Sequence, residues 1–149
     1  NEKSINDKKY FIAVGRLTKQ KNFLYLIDEF YNYSKNQKEH KLLIFGEGEE
    51  RAKLQKKIND LKLDNKVFLM GFSEHVFSYM KKAEAFILSS LWEDPGFVII
   101  EAAFCNLFVI SSDCNFEQVT NRKYPNDLKK YRERAYNVYS PLKLIKINF

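Results

Sequence analysis

At 149 residues the chain is long enough for one domain with a real core, and 45% hydrophobic, 30% charged and 15% aromatic residues exclude a disordered chain. No apolar run approaches a membrane span, and the polar stretch Asn1–Tyr10 lacks a signal-peptide pattern, so a cytoplasmic location is expected. The net charge of +6 sits entirely in residues 121–149, which hold eight Lys/Arg and two Asp/Glu; residues 1–120 hold seventeen of each sign, so no general nucleic-acid-binding surface is indicated.

Tyr10–Val14, a β-branched and aromatic run ended by Gly15, reads as a buried strand. Asn22–Ser34 carries Phe23, Leu26, Ile27, Phe30 and Tyr31 at helical spacing. Lys41–Phe45 is a second strand stopped by Gly46-Glu47-Gly48, and Glu49–Leu61 a helix with Leu54, Ile58 and Leu61 on one stripe. Lys66–Met70 is a third strand closed by Gly71, followed by a short helix through Lys82 with Ser73 as N-cap and Val76, Phe77 and Met80 inward. Ala85–Leu88 is a fourth strand, Phe97–Cys105 a helix and Leu107–Ser111 a fifth strand. After about Asn115 the pattern fails, and residues 121–149 read as a divergent or partly disordered basic tail with a weak apolar stretch at Leu142–Ile147. The expected organisation is therefore a binding domain over residues 1–120 and a tail over 121–149.

Strand–helix alternation implies a doubly wound α/β domain with a parallel, Rossmann-like sheet, because parallel strands need crossovers and these are right-handed. Ligands bind such sheets at the carboxyl ends of the strands, which directs attention to the loops Gly15–Lys21, Gly46–Glu49, Gly71–Ser73 and Ser89–Gly96.

Eight of the nine residues in Phe97–Cys105 are apolar, so that helix is expected to be buried nearly all round. A carboxylate in its middle, Glu101, is costly unless it is paired or opens onto a polar cleft. It sits on a narrow solvated face, belongs to a structural ion pair, or accepts hydrogen bonds from a vicinal diol. Glu93 lies eight positions earlier, in a loop ending at Gly96, and a helix that starts at a close-approach glycine is an anion site. An acid beside an anion site makes sense if it meets sugar hydroxyls attached to a diphosphate. Arg16, Lys19 and Lys21 cluster ahead of a helix start, where the dipole disfavours cations; they are surface charges or part of a site for a bound anion.

Gly46-Glu47-Gly48 is an incomplete dinucleotide fingerprint, since Arg51 stands where its third glycine would be. His40 and His75 are isolated and read as surface residues, Trp92 as packing or a sugar platform. No metal cluster or catalytic triad is evident, and Cys105 and Cys114 fit no metal or CxxC spacing and read as buried, reduced thiols.

Four stretches in order resemble the C-terminal domain of GT-B retaining glycosyltransferases of the group 1 family. They are Val14-Gly15-Arg16-Leu17 with Lys21-Asn22, Leu43–Gly48, Val67–Phe72, and Leu88-Ser89-Ser90 through Glu93-Asp94-Pro95-Gly96-Phe97 to Glu101-Ala102, the last containing an E-x7-E motif. The resemblance covers about Tyr10 to Asp113 and implies the C-terminal half of a GT-B fold, apparently truncated here. It implies that Arg16 and Lys21 bind the diphosphate of a nucleotide sugar and stabilise the leaving group without a metal or other cofactor. It further implies that Glu93 holds donor-sugar hydroxyls and Glu101 the ribose diol, with Gly15, Gly96 and Phe97 near the phosphates or sugar and Met70 near the base. Family transfer retains anomeric configuration onto glycan or lipid-linked acceptors, as in polysaccharide or lipopolysaccharide biosynthesis. The implied partners are the nucleotide sugar and an N-terminal Rossmann half in cis or in trans; the basic tail either attracts an anionic membrane surface or is an out-of-register C-terminus with no role. A non-catalytic module that keeps the fold but has lost turnover is the alternative reading; Asp94-Pro95, with no N–H on Pro95, departs from the family's usual loop.

Overall fold

The apolar runs become the strands β1 (Tyr10–Val14), β2 (Lys41–Phe45), β3 (Val67–Gly71), β4 (Ala85–Leu88) and β5 (Phe108–Ser112). Between them stand the helices α1 (Phe23–Asn36), α2 (Arg51–Asp60), α3 (Val76–Met80) and α4 (Phe97–Phe104), with a 3₁₀ turn at Lys19–Lys21 ahead of α1. A sixth strand, β6 (Ile145–Ile147), pairs in parallel with β5. This computed structural model describes residues 9–93, 97–112 and 145–147, with side chains for the first two ranges.

The sheet order is β3-β2-β1-β4-β5-β6, and every pair of neighbouring strands is parallel. From β1 the chain winds outward through α1, β2 and α2 to β3; it then crosses back through α3 to β4 and continues outward through α4 to β5. Right-handed crossovers running in opposite directions must lie on opposite faces of the sheet. The core divides accordingly. Phe23, Leu26, Ile27, Phe30, Leu54 and Ile58 of α1 and α2 pack on one face with Ala13, Leu42 and Ile44. Met80 of α3 and Ala102 of α4 pack on the other with Tyr10, Ile12, Leu43, Phe45, Phe86 and Leu88. Alternate residues of β1, β2 and β4 thus serve different cores, which is why these strands read as continuous apolar runs. Each fully buried Leu, Ile or Phe contributes about 1.5–3 kcal/mol.

Several local expectations need correction. Ser73 does not cap α3: its Oγ accepts the His75 N–H at 3.2 Å in a tight turn, and the helix starts only at Val76. Phe77 points outward and is exposed, because a five-residue helix has room for only Val76, Tyr79 and Met80 against the sheet. Helix α4 is not buried all round. Ala102 is sealed and Val98, Ile99 and Cys105 pack on the sheet side, but Phe97, Ile100 and Phe104 form an outward stripe, with Phe104 84% exposed. A helix lying on a sheet has one contact face, and composition does not show whether a second layer covers the other.

His40 is not isolated. It stacks on Phe11 and lies between the Tyr33 hydroxyl at 3.0 Å and Glu84 Oε2 at 2.7 Å, just ahead of β2 and so at the amino edge of the sheet. His75 is exposed. Cys105 is a free, half-buried thiol, and Cys114 lies outside the described residues, as does most of the stretch read as tail. Within that stretch Ile145–Ile147 supplies a strand that the sequence pattern does not announce. Among the described residues no helix is long and apolar enough to cross a membrane.

Two measurements test this packing. Gly46 has φ +137°, and a Cβ there would overlap the Gly15 carbonyl oxygen, so Gly46→Ala is expected to cost on the order of 2–3 kcal/mol in denaturant unfolding. Tyr10 donates its hydroxyl to the Tyr79 carbonyl at 2.7 Å, and burial, aided by the neighbouring Tyr79 phenol, pushes its pKa from 10.0 up to about 12. Stability held by the neutral phenol is therefore present below pH 10 and lost as pH rises from there toward 12. Tyr10→Phe is expected to flatten the stability–pH curve across that window.

Candidate functional site

Chain direction reverses between β1 and β4: the connection after β1 leaves to one side of the sheet and the one after β4 to the other. That divergence opens a crevice at the carboxyl ends, the topological switch point where open α/β sheets hold ligands. Its walls are the loop 15–22 after β1 and the loop that begins at Ser89 after β4.

Four side-chain and backbone bonds stitch these walls together. Lys21 Nζ donates to Glu93 Oε1 at 2.7 Å, and Ser89 Oγ donates to the Lys21 carbonyl at 2.7 Å. The Leu91 N–H donates to the Gln20 carbonyl at 2.8 Å, and Gln20 Nε2 to the Trp92 carbonyl at 2.9 Å. Ser90 Oγ makes a short hydrogen bond to the same Glu93 oxygen. Glu93 is only 2% exposed, so its charge is held out of water by one cation and one hydroxyl. Gly15 makes room for this: the aliphatic stem of Lys21 folds across it, and a Cβ at position 15 would come within 2.9 Å of Lys21 Cε.

A second loop braces the first. The Gly15 N–H bonds the Phe45 carbonyl, the Leu17 N–H the Glu47 carbonyl and the Glu50 N–H the Leu17 carbonyl, each at 2.9 Å. Such close approach needs glycine, since a Cβ at Gly48 would stand 2.5 Å from the Leu17 carbonyl oxygen. The Gly46-Glu47-Gly48 element that looked like a broken dinucleotide fingerprint thus serves backbone packing. Glu47 is tied to Arg51 Nη1 at 3.1 Å, and Arg51 Nη2 also reaches the Leu69 carbonyl at 3.2 Å.

The structure therefore sets Lys21 against both Gly15 and Glu93, with Arg16 exposed on the same loop. Helix α1 begins beside them with no acidic side chain in its first turn, which leaves its positive end unneutralised by its own side chains. Glu93, in a polar loop, is the buried carboxylate; Glu101 is half-buried, between the sheet face and the outward stripe of α4, and has no hydrogen-bond or ion-pair partner among the described residues. Met70 is half-buried against the core two strands away on β3, while Phe72 beyond it is 81% exposed. Phe97 opens α4 and is exposed; Gly96 lies outside the described residues. Trp92 is exposed too, and so does not fill a packing role.

Ser89, Ser90, Ser111 and Ser112 are all buried, yet only the glutamates and cations draw attention in the sequence. Their signal was the pair of apolar strands that each end in Ser-Ser, Leu88-Ser89-Ser90 and Ile110-Ser111-Ser112. Gln20 carries no comparable signal.

Residues 1–129 match the family model described as glycosyl transferases group 1. The chain belongs to that glycosyltransferase family, and its sheet is the Rossmann-like sheet of a GT-B domain. It is 44% identical over 108 residues to an uncharacterised glycosyltransferase of Methanocaldococcus jannaschii, covering 72% of this chain and 27% of the relative. It is 37% identical over 105 residues to a Campylobacter jejuni N-acetylgalactosaminyltransferase named for a diphospho-undecaprenol-linked substrate, covering 70% and 28%. A variant of Staphylococcus aureus TarM, solved with fondaparinux, α-GlcNAc-glycerol and UDP, superposes with a TM-score of 0.71 at 26% identity over 73% of this chain and 22% of that one. The chain thus spans less than a third of the length of the curated relatives it matches.

Removing one partner of the central ion pair strands the other. Lys21→Met is expected to cost roughly 2–3 kcal/mol, below the 3–5 of a fully sealed pair because Lys21 keeps some contact with water. Adding Glu93→Gln to that variant should recover part of the loss, which a urea double-mutant cycle measures.

Proposed function

We propose that this chain is the donor-binding half of a retaining GT-B glycosyltransferase, holding a nucleotide-diphosphate sugar in the crevice between β1 and β4. The observation that carries the reading is the Lys21–Glu93 pair at the switch point, with Arg16 exposed beside it. A cation and a carboxylate in contact at a strand-end crevice suit a ligand that is anionic at one end and rich in hydroxyls at the other. The family membership supports the reading, as does the UDP in the TarM complex.

In this reading Arg16 and Lys21 neutralise the diphosphate as the glycosidic bond breaks and negative charge gathers on the leaving nucleotide. That is electrostatic stabilisation by groups already in place, and it asks for no metal ion. Glu93 accepts hydrogen bonds from donor-sugar hydroxyls, and Glu101 accepts them from the ribose diol. The N–H groups at the start of α4, from Gly96 and Phe97, and the backbone of Gly15 approach the phosphates; Met70 and the end of β3 flank the base. The acceptor enters from a second Rossmann half, so this chain by itself binds donor but transfers little. Its assignment to polysaccharide or lipopolysaccharide assembly, at the cytoplasmic face of a membrane, follows the C. jejuni relative and the basic residues 121–149.

Calorimetric titration with UDP, GDP and ADP tests the reading. One of the three is expected to bind, and Arg16→Ala to weaken it about tenfold, the value of one charge-assisted hydrogen bond, without altering the circular dichroism spectrum. A folded chain that binds none of the three is not a donor domain.

A further inference from the structure

We propose that Ser90 is a positioning residue that sets the orientation of the Glu93 carboxylate for the donor sugar, and that Ser112 holds Ser90 in register from the neighbouring strand. This rests on the reading of Glu93 as a sugar ligand.

Both donors to Glu93, Lys21 Nζ and Ser90 Oγ, fall on the same oxygen, Oε1, and among the described residues none falls on Oε2. The terminal torsion of a glutamate is broad and roughly two-fold, so a single cation locates the carboxylate without fixing its rotation. Two donors from different loop positions fix it. They also use the two lone pairs of Oε1, which leaves Oε2 as the oxygen that can accept a ligand hydroxyl. Ser90 is itself 2% exposed and has one hydroxyl proton, already committed to Glu93. Its part in sugar recognition therefore runs through Glu93 and not through contact with the donor.

The Ser90 backbone needs its own anchor, because the β4–β5 ladder ends at the pair Leu88↔Ser111. Ser112 Oγ supplies it by donating to the Ser90 carbonyl at 2.7 Å, two residues past the end of β4. A side chain thus extends the connection between the strands up to the loop that carries Glu93. Ser89 does the same toward the other wall, through the Lys21 carbonyl. The buried serines at the ends of β4 and β5 therefore form a frame around one carboxylate.

The test compares the intact chain with Ser90→Ala and with Ser90→Thr, which keeps the hydroxyl. Each is titrated with UDP, GDP and ADP and with UDP-glucose, GDP-glucose and ADP-glucose, and melting temperatures are recorded alongside. For the base that binds, Ser90→Ala is expected to weaken the glucose ester roughly tenfold while changing the free diphosphate less than about twofold, and Ser90→Thr to restore the difference. Ser112→Ala should reproduce the Ser90→Ala pattern more weakly. Equal losses for diphosphate and sugar ester, or no loss for either, overturn the proposal while leaving the donor-domain reading intact. A wild-type chain that binds no diphosphate overturns the donor-domain reading, and the proposal with it. A crystal structure of Ser90→Ala gives a check that needs no ligand: the Glu93 carboxylate should turn about its terminal torsion or occupy more than one rotamer while Lys21 stays paired with it, and an unmoved carboxylate refutes the positioning role.

Discussion

The buried carboxylate of Glu93 is the constraint around which the carboxyl edge of this sheet is arranged. A charge only 2% exposed to solvent persists only where donors replace the water it has lost. Lys21 supplies one, but it comes from the loop after β1, whereas Glu93 comes from the loop after β4. The ion pair therefore decides how far apart the two walls of the crevice stand. Every other bond between the walls, from Ser89, Leu91 and Gln20, follows once that spacing is fixed. Among the described residues no fully buried side-chain polar atom is left without a partner, and at this edge both donors to the carboxylate fall on Oε1.

The reach of Lys21 depends in turn on backbone that is not its own. Its stem crosses Gly15, and the Gly15–Leu17 segment is held by the loop after β2 through three backbone bonds of 2.9 Å. That loop approaches closely enough only because positions 46 and 48 lack a Cβ. Gly46 also donates its N–H to the Gly71 carbonyl at 2.9 Å, which brings the end of β3 into the same layer. From the edge strand inward, β3 braces β2, β2 braces β1, and the loop after β1 presents a cation to β4. Side-chain geometry of this kind is set by supporting backbone at least as much as by the side chains themselves.

The strands, their parallel order and the two-sided core were legible because apolar runs closed by glycine leave few alternatives in a doubly wound sheet. Arg16 and Lys21 stand out in the sequence by their unfavourable place ahead of a helix, and the structure pairs Lys21 with Glu93 and leaves Arg16 exposed. The burial of Glu101 and of Glu93 is not legible in local composition. An apolar helix does not reveal that only one of its faces meets the sheet, so Glu101 emerges half-buried. A polar loop does not reveal that it folds under a neighbouring loop, so Glu93 emerges sealed. The serines escaped notice for a related reason. A serine at a strand end is ordinary until the adjacent strand ends the same way, and β4 and β5 become neighbours only in three dimensions. What decides burial here is contact between segments some 70 residues apart, as between Lys21 and Glu93, and no local window contains it.

The charge balance of the crevice bears on how the proposed donor would engage it. Lys21 is already neutralised by Glu93, so among the described residues the positive charge on this wall without an acidic partner is carried by Arg16, by Lys19 and by the start of α1. A diphosphate drawn in by those groups meets Lys21 at the point where Lys21 is least free to move. It gains a fixed cation without the entropic cost of ordering a flexible one, which is the advantage of a preorganised site. In the proposed complex Glu93 would have two tasks on one side chain, since Oε1 restrains the cation and Oε2 would be the oxygen for the sugar. Substituting Glu93 would disturb both ends of the ligand together, whereas Ser90 bears on the orientation of the carboxylate while the Lys21 contact stays available. The separation of diphosphate from sugar recognition is therefore to be sought at Ser90, behind the carboxylate.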